Sequence, residues 1–109
     1  MALAAAATGG VGSSPSQRVK KIGIKASIAG TYLQLENDSV SCGVFLVNDA
    51  GTSTTLFVAV SDAAPADDTG SIELTLTGCC YLHGVAPNRI WVKRASGTNA
   101  VTVRYITYV

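Results

Sequence analysis

Apolar and polar residues alternate along most of this chain, and turn formers break the alternation every few residues. Residues 18–28 are the cleanest case. Ile22, Ile24, Ala26 and Ile28 fall on one face of an extended strand, and Lys21, Gly23, Lys25 and Ser27 on the other. That period predicts a first strand with its isoleucines turned inward. Ala29 and Gly30 turn the chain into a short strand at 32–35, and Glu36-Asn37-Asp38-Ser39 is a further turn. Residues 72–77 place Ile72, Leu74 and Leu76 inward and Glu73, Thr75 and Thr77 outward, until Gly78 breaks the run. Strands at 79–83 and 90–94 flank the turn sequence Gly84-Val85-Ala86-Pro87-Asn88. Ser96-Gly97-Thr98-Asn99 signals a tight turn into 101–108, with Val101, Val103 and Tyr105 inward.

The stretch 44–60 departs from this pattern. Two apolar runs, 44–47 and 56–60, enclose a loop holding Asn48, Asp49, Gly51, Thr52 and Ser53. Both runs are too short for helices and rich in β-branched and aromatic residues, so they predict a hairpin. Neither alternates. Phe45 and Val47 oppose Val44 and Leu46, and Phe57 and Ala59 oppose Leu56, Val58 and Val60. An antiparallel strand with one wet face normally alternates. The hairpin is therefore expected to be covered on both faces. Phe45, Val47 and Phe57 become candidate contacts for an N-terminal arm, a neighbouring copy or another protein.

Seven or eight short strands with frequent turn signals predict an all-β fold, either an antiparallel β-sandwich or a jelly-roll-like small barrel with an extended N-terminal arm. Residues 1–17 form the arm, low in complexity and without charge, and residues 18–109 a single β domain with one modest core. The arm offers Leu3 and Val11 as contacts in a groove too narrow for bulky side chains. Arg18, Lys20 and Lys21 follow directly, placed to meet acidic groups of a partner.

Charge changes the picture in distribution more than in sum. The net charge is +1 and only 14% of residues are charged. All basic residues lie at 18–25 or 89–104, and all acidic ones between Glu36 and Glu73. Terminal strands paired side by side would explain this. Aromatics do not interleave with the basic residues, so no nucleic-acid partner is expected. No stretch approaches the ~18 apolar residues of a membrane span. The opening MALAAAA lacks a basic n-region, so synthesis in a cytoplasm without a signal peptide is expected.

Candidate chemistry is sparse. Cys42, Cys79 and Cys80 are odd in number and include a vicinal pair, which argues against a disulfide framework. Cys79 and Cys80 point to opposite faces of a strand, and the spacing to His83 matches no structural zinc site. A Cys–His catalytic pair needs side chains that meet, and three residues along a strand do not bring them together. Asp62, Asp67 and Asp68 share a loop without the spacing of a calcium loop. Asn37-Asp38-Ser39 matches a glycosylation sequon, meaningful only in a secreted setting. No metal, no cofactor and no enzymatic activity are expected. Trp91, beside Lys93 on the outward face if Ile90 and Val92 point in, is a candidate interface anchor.

From Ser39 onward the pattern VFLVN, a Gly/Ser/Thr loop, TTLFVAVSD, an acidic loop, SIELTLTG and a turn into RIWVKRASGTNAVTVRYI resembles small β-sandwich virion proteins of tailed bacteriophages. The resemblance implies an oligomeric structural protein, a homotrimer for preference, that decorates or cements a capsid in the virion. Its partner would be the major capsid protein or another virion protein. A tail or head-fibre component is the alternative within the virion. A carbohydrate-binding β-sandwich module is the alternative outside it. The Cys79–Cys80 pair and the Ala-rich arm depart from the pattern.

Overall fold

The computed structural model describes residues 18–49, 55–75, 77–95 and 101–109. They form eight strands: β1 (Val19–Ile28), β2 (Leu33–Gln34), β3 (Gly43–Asn48), β4 (Leu56–Val60), β5 (Ile72–Leu74), β6 (Cys79–His83), β7 (Ile90–Arg94) and β8 (Val101–Tyr108). A 3-10 turn, Pro87–Arg89, leads into β7. Pairing is antiparallel and nested: β1 with β8, β2 with β7, β3 with β6, β4 with β5. The chain is thus a long two-stranded ribbon doubled back at the β4–β5 connection. The ribbon is then rolled, so that β8 also pairs with β3 and β7 with β4. Two four-stranded sheets result, β1-β8-β3-β6 and β2-β7-β4-β5. This wrapping is the jelly-roll arrangement of a β-sandwich, the all-β class that the periodicity predicted.

The core lies between the sheets. Val44, Leu46, Val101, Val103 and Tyr105 come from the first sheet, and Leu56, Val58, Leu74, Ile90 and Val92 from the second; Ile28 and Leu35 close the ends. Asn48 is also fully buried. Its Nδ2 donates to the Leu74 carbonyl at 2.8 Å, tying one sheet to the other. Thr107 is equally buried, and its hydroxyl has no hydrogen-bond partner among the described residues.

Three expectations are corrected. The runs 44–47 and 56–60 do not form a hairpin, because β3 and β4 belong to opposite sheets. Each is a central strand with hydrogen-bonded neighbours on both sides, and their inward residues Val44, Leu46, Leu56 and Val58 meet in the core. The outward residues therefore lie on opposite outsides of the molecule: Phe45 and Val47 on the first sheet, Phe57 on the second. The second correction concerns β1. Its isoleucines Ile22 and Ile24 point outward, 74% and 54% exposed, and only Ile28 is buried.

The cause of that reversal is Tyr105. Gly23 pairs with Tyr105, and a Cβ on Gly23 would stand 2.5 Å from the ring carbon Cζ. Only a glycine lets the ring lie over the strand. Lys21, Gly23 and Lys25 thereby take the inward parity, opposite Thr107, Tyr105 and Val103. Between Lys25 and Ile28 the strand gains one residue on its partner, a bulge, and parity flips so that Ile28 turns in. The strand expected at 72–77 ends at Leu74. Thr77 takes a positive φ of 62°, and the Gly78 amide closes a turn on the Thr75 carbonyl at 2.7 Å.

Two substitutions test this packing. Gly23→Ala should destabilise the domain by about 1–3 kcal/mol, the range for overpacking a filled site, read as an earlier urea unfolding midpoint. Thr107→Val should stabilise it by about 1 kcal/mol, because it removes an unpartnered buried hydroxyl while keeping the shape; a thermal melt would show the rise.

Candidate functional site

The outer face of the first sheet is the most unusual surface of the domain. Register places its outward side chains in three rows across β1, β8, β3 and β6. The middle row is Ile22, Ile106, Phe45 and Tyr81. On one side lie Val19, Tyr108, Gly43 and His83; on the other, Ile24, Arg104, Val47 and Cys79. Tyr81 sits edge-on to Tyr108, with ring centroids 5.7 Å apart, and its ring is 6.0 Å from His83. Arg104 is the cation within these rows, and its Nε pairs with Asp49 at the rim. An outward face of an antiparallel sandwich is ordinarily polar. This one is aliphatic along β1, carries Tyr108, Ile106 and Arg104 on β8, and has Phe45 and Tyr81 towards β6.

The outside of the second sheet is different. Phe57 lies between Lys93 and Glu73 in register. The Lys93 ammonium stands 5.7 Å from the Phe57 ring centroid and 5.2 Å from that of Tyr32. It also pairs with Asp68 at 2.7 Å. The Tyr32 hydroxyl donates to Asp68 at 3.0 Å and contacts the Ser71 hydroxyl. Together these groups hold the acidic 61–71 loop against the sheet and shape a groove of about 550 Å³ lined by Tyr32, Pro65, Asp67, Asp68 and Lys93. The Lys93 hydrogen bond holds the Asp68 carboxyl below its usual range, against a smaller effect of desolvation. Burial, the largest influence on Tyr32, pushes its hydroxyl up.

A third cluster joins the 35–41 loop to β1. Lys20 Nζ pairs with Asp38 and Lys21 Nζ with Glu36, both at 2.8 Å, and the Tyr105 hydroxyl donates to Glu36. Asp38 also accepts from the Val40 amide, the Ser41 amide and the Ser41 hydroxyl. Burial would raise the Asp38 carboxyl, but these donors outweigh it and hold it well below the usual range. Glu36 follows the same balance, lowered by Lys21 and Tyr105 against burial. Burial, then the Glu36 bond, raises Tyr105.

The residues singled out from the sequence are thus dispersed. Leu3 and Val11 lie outside the described residues. Arg18 is exposed, and its backbone pairs with that of Val109. Lys20 and Lys21 are engaged by acids of their own chain. Phe45 and Val47 sit together on the first sheet. Phe57 and Trp91 sit on the second, where the Trp91 indole donates to the Ser61 carbonyl at 3.0 Å. The outward placement of Trp91 and Lys93 follows from Ile90 and Val92 pointing in, as their spacing predicts. Ile22 and Ile24, expected inward, are surface residues. The apolar period of β1 was legible; its direction was not.

The chemical candidates also separate. Cys79 and His83 share the outward side of β6 but stand four residues apart, ~13 Å along a strand. Cys80 turns toward the core, and burial, then the neighbouring Cys79, raises its thiol. All three cysteines are free thiols. Asp62 pairs with Arg89 at 2.9 Å, Asp67 accepts from the Thr69 amide at 3.0 Å, and Asp68 turns to Lys93 and Tyr32. Among the described residues no group of three His, Cys, Asp or Glu side chains is placed to hold a metal ion. Comparison with protein-family models, curated proteins and solved structures finds no match.

The acid cluster sets a pH dependence. Folded-state values of Asp38 and Glu36 lie below those of the unfolded chain, so their contribution is complete above the unfolded value and fades as pH falls below ~4. Thermal melts from pH 7 to pH 2 should show this loss. Asp38→Asn should lower stability at pH 7 and flatten the acid limb.

Proposed function

We propose that the chain is a structural virion protein of a tailed bacteriophage, a capsid decoration or cement subunit acting through protein–protein contacts alone. The observation that carries this reading is the outer face of the first sheet, where Ile22, Ile106, Phe45 and Tyr81 form an apolar row on a domain whose ion pairs are closed within the chain. A contiguous exposed apolar patch marks an interaction site more often than chance surface composition does. The strand-and-turn resemblance of the sequence from Ser39 onward supports the same reading. The mechanism is associative. The sheet face is buried against neighbouring subunits, and residues 1–17, small and uncharged, add contacts to the shell through Leu3 and Val11. The shell partner is the major capsid protein or another virion protein, met where virions assemble in the host.

A carbohydrate-binding module is the second reading, favoured by the groove beside Tyr32. It is the weaker one. Lys93 already stands over the Tyr32 ring, and Asp68 bonds both Lys93 and Tyr32, so a sugar would have to break contacts that the domain makes with itself.

Mass spectrometry of virions purified from the phage that encodes the chain should recover it in stoichiometric amounts. Deleting residues 1–17 should leave the thermal transition of the β domain nearly unchanged and reduce retention on the particle. Absence from particles, or glycan-array binding that Tyr32→Ala abolishes, would reject the virion reading.

A further inference from the structure

The three outward rows of the first sheet hold little for a charged partner to recognise. Arg104 and Asp49 are already paired, and His83 stands at a corner. Across the rows, the β1–β8 half carries the aliphatics Val19, Ile22, Ile24 and Ile106, together with Tyr108 and Arg104 on β8. The β3–β6 half carries the aromatics Phe45 and Tyr81. The second sheet has no such division, since Lys93 and Glu73 flank Phe57 there. The face is therefore self-complementary in one particular way. A two-fold axis lying in the face, along the strands between β8 and β3, sets Ile22 of one copy over Tyr81 of the other and Ile106 over Phe45. Arg104 then lies over Val47, its charge met by its own Asp49.

We infer that the outer face of the first sheet binds a second copy of this chain, face to face, about that axis. Two sheets stacked this way keep their strands nearly aligned at ~10 Å, the usual sandwich spacing. The contact is isologous and closes on itself at two copies. Its size places it among small contacts. Four strands at ~4.8 Å and five residues at ~3.3 Å give a footprint of roughly 320 Å². That lies within the ~300–600 Å² typical of the largest apolar patch on a monomer and well below the ~800 Å² per partner of a standard interface. The dimer is accordingly weak and reversible. It does not rest on the virion reading. A chain that pairs this way in solution yet is absent from particles would reject that reading and keep this one.

Sedimentation velocity of the full chain from about 1 to 500 µM reads the equilibrium. A monomer-to-dimer transition is expected. Ile22→Glu, at a site 74% exposed and so harmless to folding, should shift the midpoint upward about tenfold or more. Phe57→Ser, on the opposite sheet, should leave it in place. Cys79 is exposed on the same face, so its alkylation rate should fall with rising concentration in the wild type and stay constant in the Ile22→Glu variant. A wild type that remains monomeric to the highest concentration overturns the inference. So does an oligomer of any order that Ile22→Glu leaves intact, including one that disappears on removal of residues 1–17, which would assign the contact to the arm.

Discussion

The ring of Tyr105 lying over Gly23 is the contact on which the first sheet depends. Because glycine presents no Cβ, β1 can approach β8 with a tyrosine ring between the strand and the core. That approach places Lys21 and Lys25 on the inward parity of an edge strand, where long side chains reach out past the core. Lys21 ends on Glu36, which the Tyr105 hydroxyl also holds. The same contact leaves Ile22 and Ile24 outward. One glycine thereby sets the inner packing of the first sheet and the apolar character of its outer surface together.

The rolled ribbon explains why the two outsides of the sandwich differ. The β4–β5 connection is the tip of the ribbon and folds back along the second sheet, where Asp68 is caught by Lys93 and Tyr32 and Ser61 by the Trp91 indole. The first sheet receives no such cover from the 61–71 loop. Its strands β3 and β8 are central, and their outward residues Phe45, Val47 and Ile106 continue the exposed isoleucines of β1. The acidic loops serve the basic terminal strands in the same economical way: Asp38, Glu36, Asp49, Asp62 and Asp68 each take a cation from β1, β8 or the segment around β7. Surface pairs of this kind contribute little stability each, typically 0–1 kcal/mol. Their larger effect is to engage these five acids within the chain, and Arg104 of the first sheet with them, so that apolar contact dominates what that sheet offers a partner.

The sequence by itself determined the strands, because period two and turn formers act locally. Strands at 56–60, 79–83, 90–94 and 101–108 have the bounds that the pattern predicts, and the all-β class follows from them. The inward faces of β7 and β8 were equally legible, since Val92 and Val103 each sit in an unbroken alternation. Three decisions belonged to the tertiary structure. Pairing was one: a polar loop between two apolar runs looks the same whether the runs form a hairpin or cross between sheets, and β3 and β4 cross because the long-range partners β8 and β7 take their edges. The direction of β1 was another, because alternation defines two faces but not which is inside, and only the distant Tyr105 ring decides that Gly23 turns in. The last was the candidate interface, for Ile22, Ile106, Phe45 and Tyr81 come from four segments far apart in the chain and form one row only when antiparallel register brings them level.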